Sequence, residues 1–168
     1  MHVLLTLSLL SFTVWKGDWR HWQKYSLTCF YVITCNLLYS VLCRDHLLWK
    51  YQADLLPKST FMVELFYTFI NLPAVTLLYL SHYPFAKPFL KQVKYFLLWV
   101  IGALIVEYPF VKWKRLLLIN GYELWMEAIF YLFMFGMIRL HYSRPLLTYG
   151  ISFVLIIFLV HYFHVPIK

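Results

Sequence analysis

Charge and cysteine are scarce in this sequence, and each shortage excludes something. Charged residues make up 13% of the 168 positions, about half the share in a soluble domain, which leaves too little polar surface to cover a core in water. The three cysteines, Cys29, Cys35 and Cys43, lie in one apolar segment with no C-x-x-C arrangement. An odd number placed that way argues against a disulfide framework or a zinc site and leaves helix packing as their role. Catalytic signatures are missing too: the chain has no H-E-x-x-H, G-x-S-x-G, Walker A loop, dinucleotide fingerprint or C-x-x-C-H haem motif. No apolar segment carries the regularly spaced arginines of a voltage sensor. No Ser/Gly-rich linker, acidic run, low-complexity tract or internal repeat divides the chain, so one domain, 1–168, is the expectation. No catalytic residue, metal site or cofactor is expected.

Apolar and aromatic residues are abundant instead. The chain is 62% hydrophobic with 7 Trp, 14 Tyr and 15 Phe, and its mean hydropathy is +0.68. Amphipathic rings in such numbers suit a bilayer, where they settle at the headgroup boundary. The formal charge of +8 admits two kinds of partner, nucleic acid or anionic lipid. The basic residues are scattered through short loops between apolar runs and form no continuous stripe for a phosphate backbone. Membrane lipids are therefore the expected partner, with a membrane protein or a second copy of the chain as further candidates, and nucleic acid is not.

A helix needs about 20 mostly apolar residues to cross the hydrocarbon core. Six segments approach that length, at 2–15, 26–43, 61–80, 93–111, 122–138 and 146–163, which predicts an all-α polytopic transmembrane bundle of about six spans. The first is short and the weakest of the six. No Lys or Arg precedes it and no A-x-A-like site follows it, so it reads as a retained helix, shallow or tilted, in preference to a signal peptide. An aromatic and basic collar from Trp15 to Trp22 follows as an interfacial anchor. The third span is bracketed by Leu56-Pro57 and Tyr83-Pro84, and Pro73 inside it is expected to kink the helix. Pro109 is expected to close the fourth, Asn120-Gly121 to form a turn before the fifth, and Pro145 to open the sixth. Trp99 reads as packing, and Trp49, Trp113 and Trp125 as an interfacial belt.

Lys and Arg divide eight against seven between the loops after spans one, three and five and the opposite side, so the positive-inside rule does not orient the chain. Acids divide unevenly. Asp18 alone lies with the first group, while Asp45, Asp54, Glu64, Glu107, Glu123 and Glu127 lie toward the second, giving faces of +7 and +1. This favours cytoplasmic loops one, three and five with both termini outside.

Ionisable groups inside membrane spans are costly, which makes each a functional candidate. Glu64, Tyr67, Thr68 and Asn71 recur at i, i+3, i+4 and i+7 in the third span, and Asn36, Tyr39, Ser40 and Cys43 do so in the second. Glu123, Glu127 and Tyr131 follow at i+4 steps in the fifth, and Glu107 lies near the end of the fourth. Alternating spans bring Glu64, Glu107, Glu123 and Glu127 to similar depth, so the four could line one vestibule. His46, His161, His164, Lys112, Lys114 and Arg115 lie toward the same face. The candidate polar interior is thus Glu107, Glu64, Asn71, Asn36, Glu127 and Glu123. Clustered carboxylates raise one another's pKa and so can hold a proton or a cation. With a histidine they could also bind a divalent metal and activate water. The bland alternative is that each acid pairs with a loop cation and that Asn36 and Asn71 join helices by hydrogen bonds.

The order Trp19-Arg20-His21-Trp22, Asn36-Leu37-Leu38-Tyr39, Leu56-Pro57, Leu80-Ser81-His82-Tyr83-Pro84, Trp99 followed by Glu107, Asn120-Gly121-Tyr122 and Arg139-Leu140-His141-Tyr142-Ser143-Arg144-Pro145 resembles a family of small, uncharacterised polytopic membrane proteins from spore-forming Gram-positive bacteria. The resemblance covers nearly the whole chain, and relatives usually have Gly-Trp where this one has Gly121-Tyr122. It implies a multi-pass protein of five or six spans in the bacterial cytoplasmic membrane, connects it with sporulation or germination by association, and brings no activity with it. The leading expectation is a non-enzymatic small-solute or ion transport component or an accessory membrane subunit. The alternatives are an intramembrane metal-dependent lipid hydrolase or transferase, and a structural or interaction protein.

Overall fold

The computed structural model describes residues 1–53 and 59–166; Asp54, Leu56, Pro57, Lys58 and Lys168 lie outside them. Six helices carry the fold: α1 His2–Lys16, α2 Gln23–Leu42, α3 Thr60–Ser81, α4 Phe89–Lys112, α5 Leu124–Ser143 and α6 Pro145–Tyr162. The last five are long and apolar enough to cross a membrane. α1 is not, because its 15 residues extend only about 22 Å at 1.5 Å per residue, short of a hydrocarbon core of about 30 Å.

The helices form two groups of three. α3 packs on α1 and α2, α5 packs on α4 and α6, and α2 meets α5 between the groups. α3 is the central element: 39% of its apolar window is buried, against 6% for α4 and for α6. The outer faces of α4 and α6 expose Leu98, Ile101, Ile105, Phe153, Val154 and Phe158, as lipid-facing helices do. Trp99 points inward, as expected of a packing residue, and its ring lies 5.6 Å from Tyr79 and 5.7 Å from Phe135. Trp113 and Trp125 are exposed, but Trp49 stacks on Tyr39 at 3.9 Å.

Three local features depart from the sequence reading. Ahead of Pro73, α3 makes a π-helical turn over Tyr67–Asn71, with the Leu72 amide bonded to the Tyr67 carbonyl. Proline has no N–H to offer the preceding turn, and a widened turn is one way to absorb that defect. Pro109 does not close α4. The helix runs on through it to Lys112, and its own carbonyl accepts the Trp113 amide at 2.9 Å. Near a helix end a proline forfeits a single bond, and the last turn can form around it.

The third departure is a short antiparallel pair, β1 Trp49–Tyr51 with β2 Leu116–Leu118, in register Trp49↔Leu118, Lys50↔Leu117 and Tyr51↔Leu116. β1 follows α2 and β2 follows α4, so this sheet clips one group of helices to the other. Gln52 N to Arg115 O (2.8 Å) and Ile119 N to Leu48 O (2.9 Å) extend the pairing. The Asn120-Gly121 turn forms as expected, both residues at positive φ, and Asn120 Nδ2 donates to Leu47 O at 2.7 Å. The end with the sheet is called the β-end below.

α1 runs alongside α3. His2 meets Tyr67 and the Gln52 carbonyl near the β-end. At the other end Gly17 approaches so closely that a Cβ there would lie 2.6 Å from Thr13 O and 2.9 Å from Leu77 Cδ2.

Candidate functional site

Near the sheet, Glu107 of α4 and Glu127 of α5, both in the second group of helices, face Tyr51 of β1. Glu127 occupies the first turn of α5, where the helix dipole favours a carboxylate, and is 4% exposed. Tyr131, one turn further, donates its hydroxyl to Glu107 Oε2. The Glu107 and Glu127 carboxyls lie within interaction range of each other. Glu107 Oε1 and the nearby Tyr122 hydroxyl are buried without a hydrogen bond of good geometry. Neither acid makes an ion pair with Lys or Arg among the described residues.

Aromatic residues close this acidic pair from the side of the other group. Tyr51, carried by β1, stacks on Tyr67 at 4.3 Å. Burial holds its hydroxyl far above the usual tyrosine range, with Tyr67, Glu107 and Glu127 adding to the effect. Tyr122 is raised in the same way, by burial first and by Glu127 and Glu107 next. His2 is fully buried. Its Nε2 donates to Gln52 O at 3.0 Å, since a carbonyl can only accept, and in the neutral ring its Nδ1 accepts the Tyr67 hydroxyl at 3.1 Å.

The structure gathers two of the four carboxylates expected in one vestibule. Glu123 precedes the first residue of α5 in extended backbone, is exposed, and accepts Trp125 Nε1 at 2.9 Å. Glu64 sits on the other side of Tyr51, in a separate cavity of about 140 Å³ between α2, β1 and α3. Asn36 Nδ2 donates to Thr68 Oγ1 at 2.7 Å, and Thr68 donates to the Glu64 carbonyl at 2.8 Å, so Asn36 joins α2 to α3. Asn71 is 4% exposed, and among the described residues neither its Oδ1 nor its Nδ2 has a hydrogen-bond partner.

His161 and His164 are exposed and line an apolar cleft beside α6. Lys112 and Lys114 are exposed; Arg115 Nη1 donates to Ala53 O at 3.4 Å. Among the described residues no three His, Cys, Asp or Glu side chains gather as they would around a metal ion. The three cysteines are free thiols, and burial raises Cys43.

His2, Tyr51 and His141 lay outside the sequence reading. Thr6, an i+4 step from His2 and buried with it, is a polar signal that could have found His2, and Tyr51 sits in a segment read as a loop. At the end away from the sheet, His141 is 1% exposed. Its Nδ1 lies 3.1 Å from Thr28 Oγ1 and its ring stacks on Tyr31 at 4.3 Å. An i+4 or i+7 polar companion in α5 would have drawn attention to it, and none exists. No family model, curated protein or solved structure matches the chain.

Proposed function

We propose that the chain is a non-enzymatic transport component of a membrane, passing a small solute or cation, with Glu107 and Glu127 as the group in its interior that takes up a proton or cation. The observation that supports this is the pair of carboxyls between α4 and α5, facing Tyr51 of the first group, with no lysine or arginine paired to either among the described residues. Two carboxyls in contact hold a proton or a cation between them, because both cannot stay bare and charged side by side. Inside a membrane bundle such a pair marks an ion or proton pathway by default. Tyr131 fixes the Glu107 carboxyl, and the joint between the two groups is where one can move against the other. On the family resemblance alone, we assign the protein to the cytoplasmic membrane of a spore-forming bacterium.

The test is flux into proteoliposomes, following protons, Na⁺ and K⁺ separately. Glu107→Gln and Glu127→Gln are each expected to cut the conducted flux roughly ten-fold or more, and Glu123→Gln, on the surface, to leave it unchanged. Flux indifferent to both interior substitutions, or no flux of any of the three ions, would remove the pair from this role.

A further inference from the structure

The cavity on the far side of Tyr51 is a second polar feature, built differently from the acidic pair. It holds one acid and one base. Glu64 enters from α3, and Arg44 enters from the segment after α2. Among the described residues neither side chain forms an ion pair or a hydrogen bond. Lys50 of β1 acts on Glu64 only at longer range. Two opposite charges that share a cavity without closing on each other leave a gap between them for a molecule carrying both signs. The wall supplies what such a molecule needs beside the charges. The aromatic side chains of Trp49 and Tyr51 form part of the wall, and the guanidinium fork matches a carboxylate. A volume near 140 Å³ is several times what one water needs, room for a molecule of a few non-hydrogen atoms.

We infer that this cavity binds a small zwitterion, an amino acid of glycine or alanine size, with its ammonium on Glu64 and its carboxylate on Arg44. Binding here does not depend on transport through the acidic pair. Asn36, tied to Thr68 at 2.7 Å, fixes the cavity floor by holding α2 to α3. Tyr51 forms the partition, one side to the cavity and the other to Glu107 and Glu127, which makes it the residue a coupled solute and proton would both touch.

The experiment is equilibrium binding of radiolabelled glycine to the full chain in detergent. Saturable binding is expected, weakened roughly ten-fold or more by Glu64→Gln and by Arg44→Gln, and untouched by Glu123→Gln at the exposed start of α5. Circular dichroism and gel filtration of each variant separate lost binding from lost fold. Competition on the unaltered protein needs no variant: alanine should displace glycine, while methylammonium and acetate, each carrying one charge, should displace it at least ten-fold less well. No saturable binding of glycine or alanine up to about 10 mM overturns the inference. So does methylammonium competing as well as glycine, which would make this an amine site. Glycine binding with ion flux indifferent to Glu107→Gln would keep this inference and sink the transport reading; the converse result would do the opposite.

Discussion

The two halves of α3 are built on different principles. Its second half is almost wholly buried: Ala74, Thr76, Leu77, Leu78, Tyr79 and Leu80 are all covered, and Tyr79 alone has Tyr83, Tyr95, Trp99 and Phe135 within ring-contact distance. Its first half, toward the β-end, contains the π-turn, the half-buried Glu64, the Thr68–Asn36 bond and the unpartnered Asn71 amide. Lipid tails are as apolar as leucine, so helices in a membrane cohere through close packing and not through hydrophobic expulsion. The tightly packed half therefore holds the bundle, and the polar half is free to carry irregular backbone and uncompensated groups. Sites that act tend to be locally less stable than the scaffold around them.

The largest effect should come from the packed half. Tyr79→Ala is expected to destabilise the protein by about 3–5 kcal/mol, read from unfolding in mixed micelles. Tyr79→Phe tests whether packing or polarity is responsible. The Tyr79 hydroxyl is buried with no hydrogen-bond partner among the described residues, so losing it should be neutral to within about 1 kcal/mol. A large loss from Tyr79→Phe would mean that a polar contact holds this half too, and the distinction between the halves would fail.

A smaller effect is expected in the polar half. Asn36→Leu keeps the side-chain volume and removes the bond to Thr68. Interhelical bonds of this kind average about 0.6 kcal/mol and reach about 1.7 at most, so the variant should unfold within that margin of the unaltered protein. A loss as large as that from Tyr79→Ala would show that the polar half also carries the bundle.

This division explains which parts of the molecule were legible in the sequence. Apolar length alone announces the five long helices, and the short first one is the one that falls below span length. The stripe from Glu64 to Asn71 is visible because helical spacing puts it on one face, and Glu127 with Tyr131 for the same reason. What escaped is whatever depends on two distant loops meeting. The sheet joins residues 67 positions apart, Lys50 with Leu117, and three-residue strands carry no periodicity of their own. Without that sheet, Tyr51 has no assigned place between the cavity and the acidic pair. Sequence spacing groups Glu123 with Glu127 because an i+4 step looks the same whether or not the helix has begun, and α5 begins one residue after Glu123.

The smallest effect is expected at Asp18, beyond the packed end of α3, where an acid is managed at the surface instead of inside the bundle. Asp18 Oδ1 lies 2.6 Å from His21 Nδ1, Tyr25 donates to Oδ2 at 3.1 Å, and Lys24 Nζ stands 3.9 Å away. The hydrogen bond from His21, with smaller help from Tyr25 and Lys24, holds the Asp18 carboxyl below its ordinary 3.8. A depressed carboxylate adds stability that is present above pH 3.8 and disappears as pH falls through the lowered value. Asp18→Asn should therefore melt slightly below the unaltered protein at neutral pH, and the gap should close in acid. Because the group faces solvent, salt should shrink the gap as well, the screening length being about 10 Å at 0.1 M. A gap that persists in acid, or that ignores salt, would mean that Asp18 acts as part of the packed end, and the contrast between a surface acid and the buried pair at the β-end would have to be redrawn.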